Sequence, residues 1–142
     1  MGSEQMLGDQ PPCDVTMGFC VEELREGYSR WTWTIRDARF DNPIGRVLGG
    51  FIAVFADELM GSCMVSTLKE GESFTTAELK INFMRPVFKE TLTGEGFVTK
   101  RGRNIAFLEA KIVNGEGKLV STSTSTVVIF PSEEGAQRPP QA

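Results

Sequence analysis

Asp57 is the residue best placed to do chemistry in this sequence, because it follows the pair Gly49-Gly50 by eight residues along a stretch that reads as one helix. Glycines at the start of a helix leave backbone N–H groups open to a close-lying ligand, and those groups sit at the positive end of the helix dipole. A carbonyl held there is polarised, and a carboxylate is then needed either to activate water or to attack the carbon itself. Asp57 lies about two turns along, on the face opposite the helix's apolar stripe. The chain contains no histidine, so Ser-His-Asp and Cys-His activation are excluded and chemistry is left to carboxylates, backbone amides, hydroxyls or a bound cofactor. Each candidate also has a bland reading. Gly49-Gly50 alone is a loop-to-helix junction, Asn42 before Pro43 is a turn former, Thr76 is an ordinary strand residue, and Glu58 is structural or solvated. Lys100, Arg101 and Arg103 bracket Gly102 in a basic turn that could grip phosphates or simply form an exposed hairpin corner.

The helix that carries Asp57 is expected from about Gly50 to Ser66. At 100° per residue, Phe51, Ile52, Phe55, Leu59 and Cys63 fall in one stripe about 120° wide that should face a sheet. Its other faces carry Ala53, Val54, Ala56, Met60 and Gly61, and Asp57 and Glu58 are the only charges before Lys69. A helix apolar nearly all round is a buried one, which predicts cover by the sheet and by a second subunit. A hairpin turning at Glu26-Gly27 is expected between Met17 and Arg36, its second strand carrying Trp31 and Trp33 on one face as packing residues. Four further strands are expected at Phe74–Phe83, Thr91–Lys100, Ile105–Val113 and Lys118–Phe130, with breaks suited to a meander. The run Ser121–Thr126 is polar on both faces, so that one side could line a site or an interface. Residues 1–16 and 131–142, polar and broken by Gly and Pro, are expected to be disordered, leaving one domain over 17–130.

Composition narrows the partners. The net charge is −4, which disfavours nucleic acid and anionic membrane surfaces. The three cysteines, Cys13, Cys20 and Cys63, are odd in number and lack metal-ligand spacing, which argues against a disulfide framework and a zinc site and fits a reducing cytoplasm. No segment reaches the roughly 18 apolar residues of a spanning helix, and the first ten residues lack a leader pattern.

A strand pair, one buried helix and four antiparallel strands is the order of the hotdog fold, an α+β architecture whose sheet curls around its helix. The segments Asn42-Pro-Ile-Gly45-Arg-Val-Leu48-Gly49-Gly50, Asp57, Thr76-Ala-Glu78-Leu79-Lys-Ile81-Asn82-Phe83-Met84-Arg85-Pro86 and Lys100-Arg-Gly102-Arg103-Asn-Ile-Ala106-Phe107 resemble the phenylacetyl-CoA thioesterase (PaaI-like) family, in order and spacing. The resemblance covers about Met17 to Phe130. It implies hydrolysis of a small or medium acyl-CoA thioester, aryl-acyl groups included, with no metal and with coenzyme A present only as part of the substrate. It gives Asp57 the acidic catalytic position, Gly49 the carbonyl-binding glycine, Asn42 the loop amide beside the thioester, and Thr76 a hydroxyl that helps place the attacking water. Leu48, Gly50 and Gly61, with Lys100, Arg101 and Arg103, form the substrate-binding set. A homo-oligomer, a dimer assembling to a tetramer, is implied as well. One position departs from the pattern. The family's His-Gly-Gly at the helix start reads Leu48-Gly49-Gly50 here, which makes a non-catalytic acyl-CoA or lipid-binding protein of the same fold the rival reading.

Overall fold

In the computed structural model, which describes residues 10–132, the hairpin forms where Gly27 supplies a left-handed turn at φ +75°. Strands β1 (Phe19–Arg25) and β2 (Tyr28–Thr34) pair antiparallel from Phe19 opposite Trp33 to Arg25 opposite Tyr28. Alternation turns Ser29, Trp31 and Trp33 inward, and all three are buried. Both tryptophans are packing residues, as their spacing implies, and Trp33 meets Phe19, Phe40 and Phe55 edge-on at ring separations of 5.4–5.9 Å. Each buried aromatic of this kind stabilises the fold by roughly 1.5–3 kcal/mol over an exposed one.

A single 3-10 turn (Ala38–Phe40) leads to the long helix, Gly49–Val65, with boundaries within a residue of the expected ones. Ile52, Phe55, Leu59 and Cys63 of the expected stripe are buried, while Phe51 is half-buried against Phe40, with ring centres 5.0 Å apart. The opposite face leaves Gly50, Val54 and Asp57 exposed.

Four strands complete the sheet: β3 (Glu72–Phe83), β4 (Thr91–Arg101), β5 (Ile105–Val113) and β6 (Leu119–Pro131). The spatial order is β1-β2-β4-β5-β6-β3, antiparallel throughout. The expected meander therefore holds for β4, β5 and β6 only; β3 crosses to the far edge and pairs with β6. Sequence neighbours pair in only about two-thirds of cases, and here β4 takes β2 as its partner instead. Gly94 and Gly96 on β4 let the helix lie against the sheet, since a Cβ at Gly96 would strike the Leu59 carbonyl. The same carbonyl accepts from Ser29 Oγ at 2.6 Å, and Trp31 Nε1 donates to Ser62 Oγ at 2.9 Å. A curled six-stranded antiparallel sheet holding one long helix is the hotdog fold.

The chain's ends depart from expectation where they are described. Pro12–Met17 forms a short helix, α1, instead of continuing an irregular segment to residue 16, so that the long helix is α2. Pro12 at its first position and Gly18 in the left-handed region after its last are the normal start and stop of such a turn. Asp14 of α1 is fully buried. At the other end β6 runs to Pro131, and the Ser132 N–H donates to the Gly71 carbonyl at 2.8 Å. The expectations for residues 1–9 and 133–142 lie outside the described residues.

Candidate active site

Strand β3 holds the hydroxyl nearest Asp57. Its pairing with β6 slips between Thr76 and Glu78, so that Ala77 forms a bulge immediately after Thr76. Bulges bend a strand and re-aim the side chains beside them. From that position the Thr76 hydroxyl donates to Asp57 Oδ1 at 3.3 Å. The two residues share a cleft of about 340 Å³ with Cys13, Val54, Glu58, Gly61, Phe74 and Thr75. Although the Asp57 side chain is reachable by solvent, the protein packed around it raises its pKa above the ordinary aspartate value, and the Thr76 hydrogen bond opposes that rise. Gly61, one turn on, leaves open space beside the acid.

Gly49 opens on a different cleft of about 390 Å³, lined by Asn42, Arg46, Gly49, Ile52, Phe83 and Arg85 among others. Leu48, the residue capping α2, offers no side-chain cap, and among the described residues the N–H groups of Gly49 and Gly50 have no hydrogen-bond partner. These are free donors at a helix start. The missing Cβ at Gly49 has a structural reason too, since one there would lie 2.9 Å from Phe83 Cζ. Gly50 faces open space, and Leu48 is 49% exposed. Asn42 takes both of its readings. Its Oδ1 accepts from the N–H groups of Ile44 and Arg46 at 3.1 Å, making the turn, while its side-chain NH₂ remains available to the cleft.

Within one chain the two halves do not meet. Eight residues at about 1.5 Å each set Gly49 and Asp57 roughly 12 Å apart along α2, far beyond the contact that a shared carbonyl requires.

The basic turn lies at a third cleft of about 400 Å³, where Arg101, Gly102 and Arg103 gather with Glu26, Thr67, Lys69 and Glu72. Arg101 is committed to an ion pair with Glu72 and also donates to the Gly102 carbonyl. The Lys69 backbone N–H, and after it Arg101, hold the Glu72 carboxyl below its usual range. Lys100 and Arg103 have no ion pair among the described residues, and Lys100 is not part of that cleft's lining. Cys63 is no rival nucleophile: burial pushes its thiol up to about 12.

Sequence reasoning missed the cluster behind Asp57. Atoms of Cys13, Asp14 and Glu58 lie within 4.8 Å of one another, with Asp14 fully buried. Pro12, an acid two residues later and Gly18 were a readable helix signature, hidden by the apparent disorder of Pro11-Pro12.

A curled antiparallel sheet around one long helix is the architecture of hotdog-type thioesterases. The comparisons with known proteins agree. The Thioesterase superfamily matches residues 44–121, more than half of the chain, and the protein belongs to that family. A protein of Saccharolobus solfataricus, provisionally named an esterase, is 30% identical over 114 residues, 80% of this chain and 75% of its own. The structure of a phenylacetic acid degradation-related protein from Ralstonia eutropha JMP134, described as a thioesterase by assignment, superposes with a TM-score of 0.78. It is 30% identical, over 89% of this chain and 97% of that one. A thioesterase-like protein from Streptococcus pneumoniae TIGR4, solved with coenzyme A, superposes at 0.73 with 23% identity, over 80% and 87% of the two chains, and shares the fold.

Proposed function

We propose that the protein hydrolyses a small or medium acyl-CoA thioester, aryl-acyl groups included, to a carboxylate and free coenzyme A. The observation that carries this reading is the separation on one helix of two complementary half-sites, an acid with a hydroxyl at one cleft and free amides with Asn42 at the other. A second copy reunites them. Strand β3 is a 12-residue edge strand that is largely exposed, and Val54 on the bare side of α2 and Phe83 at the end of β3 are 41% and 50% exposed. Edges of that length are normally covered, and a dimer built along β3 would also bury the side of α2 that carries Asp57. The helix start of one copy would then face the acid of the other.

In such a site the Gly49 N–H polarises the thioester carbonyl, aided by the Asn42 amide. Asp57 takes a proton from water as the water oxygen bonds to the carbonyl carbon; the carbon–sulfur bond then breaks, and the proton passes to the departing thiolate. Attack by Asp57 itself, followed by hydrolysis of the anhydride, uses the same groups. Thr76 orients the acid, and Lys100 and Arg103 are the cations left for the phosphates of coenzyme A. The protein is a homo-oligomer of the cytoplasm in this reading. No metal takes part, and no cofactor beyond the coenzyme A carried by the substrate. Leu48, apolar and half-exposed where the family's histidine stands, favours the rival reading of a binder without turnover. A panel of acyl-CoA esters with a thiol reagent separates the two: released thiol supports hydrolysis, and tight binding without thiol supports the rival.

Asp57 acts deprotonated, and burial raises its pKa. The acid limb of kcat/KM therefore lies above the ordinary aspartate range, and activity is lost as pH falls through it. Removing the Thr76 bond takes away the interaction that lowers this pKa. Thr76→Val is expected to move the limb further toward neutral pH and to slow turnover several-fold, on the order of one hydrogen bond. An unmoved limb in the pH profile would detach Thr76 from the acid.

A further inference from the structure

Next to Asp57 on α2, Glu58 lines the same cleft, beside the short helix α1. Carboxylate oxygens of Glu58 and of the fully buried Asp14 lie within 4.8 Å of each other, and the Cys13 thiol of the same short helix lies beside them and donates to Asp14 Oδ1 at 3.8 Å. Two ionised carboxylates this close, one of them fully buried, repel one another, and each is acceptor only. A proton held by the pair relieves that repulsion. Cys13 also lines the Asp57 cleft, so whatever holds α1 in place shapes that cleft.

We propose that one proton shared by Asp14 and Glu58 docks α1 onto α2 as a wall of the Asp57 cleft, and that Glu58 thereby acts as a positioning residue for the substrate bound there. The catalytic part of this proposal rests on the thioesterase reading above, whereas the docking does not.

Among the described residues the groups acting on Glu58 are acidic: Asp14 and Cys13 from α1, and Asp57 from its own helix. Strand β3 presents Phe74, Thr75 and Thr76 to the same cleft, none of them titratable in this range. Burial first, then the Asp14 carboxylate beside it, push the Glu58 carboxyl from 4.5 up to about 8. Since the docked value is the higher one, the stabilisation is complete below about 4.5 and is lost as pH rises through about 8. With one proton on the pair its charge is −1 in place of −2, so Asp57 ionises beside one negative charge and not two. Once the proton leaves, the Asp14 and Glu58 carboxylates repel each other and α1 lets go of the cleft.

Hydrogen exchange of the α1 amides, corrected for intrinsic rates, reads the docking directly. In the full-length protein their protection is expected to fall by roughly tenfold to a hundredfold between pH 6 and pH 9. Glu58→Gln gives Asp14 an amide donor that no base removes, and Asp14→Asn does the same for Glu58, so protection should stay level in both variants. In activity assays KM of the unaltered protein should rise at pH 9 with kcat little changed, and KM of Glu58→Gln should not. Protection independent of pH in the unaltered protein, an equal fall in both variants, or protection already lost in both at pH 6 would overturn the proposal. Should no acyl-CoA be cleaved at all, the exchange result stands alone and only the thioesterase reading falls.

Discussion

Replacing Asp57 with Asn is expected to lower turnover by about 10²- to 10⁴-fold, the usual worth of a positioned base, while fold and assembly persist. Asn is nearly isosteric, its carbonyl oxygen still accepts the Thr76 hydroxyl, and Asp57 is not a core residue whose loss would leave a cavity. Only the capacity to take a proton or to attack is removed. Steady-state assays beside size measurement in solution check the point, and near-normal turnover would remove Asp57 from the mechanism. The effect should appear in kcat and kcat/KM alike, because the lost interaction belongs to the transition state.

Gly49→Val is the second large effect, expected to cost about 10²- to 10³-fold in kcat, comparable with losing one oxyanion donor. The N–H itself survives, but a side chain now stands where the carbonyl must approach. A Cβ at this position lies 2.9 Å from Phe83 Cζ, so part of the response will be a turned ring, which is half-exposed and able to move. Gly50→Ala is the control, since its Cβ meets nothing within 4 Å. If Gly50→Ala proves as damaging as Gly49→Val, the amide that polarises the carbonyl is not the one at Gly49.

These expectations rest on features of unequal visibility in the sequence. Helix α2 was readable almost to the residue, because its apolar stripe and the Gly49-Gly50 pair are local signals. Strands β3 to β6 were readable too, but the place of β3 was not: pairing with β6 is a non-local choice, and the Ser/Thr run of β6 has no bulky pattern that names its neighbours. That run turns Ser121, Ser123 and Ser125 into the buried layer. Asp57 stood out as a charge on an otherwise apolar helix. Thr76 was named by the family resemblance and not by its own pattern, because a bulge at Ala77 is what sets the strand beside it, and nothing in a β-prone stretch announces a bulge. Arg101 read as a phosphate grip until the structure gave it Glu72, a partner 29 residues away. Asp14 and Glu58 were opaque for the same reason: a carboxyl pair between distant segments is visible only once the fold has brought them together.

Mixing inactive subunits tests most directly whether the two halves of the site belong to different chains. Asp57→Asn and Gly49→Val chains, carrying different tags and assembled together, give hybrids in which one of the two sites has both an intact acid and an intact glycine. With random pairing about a quarter of full activity should return, as expected for a two-fold interface, and it should travel with the doubly tagged hybrid. No recovery from isolated hybrids would place acid and amide on one chain, contradicting the shared site.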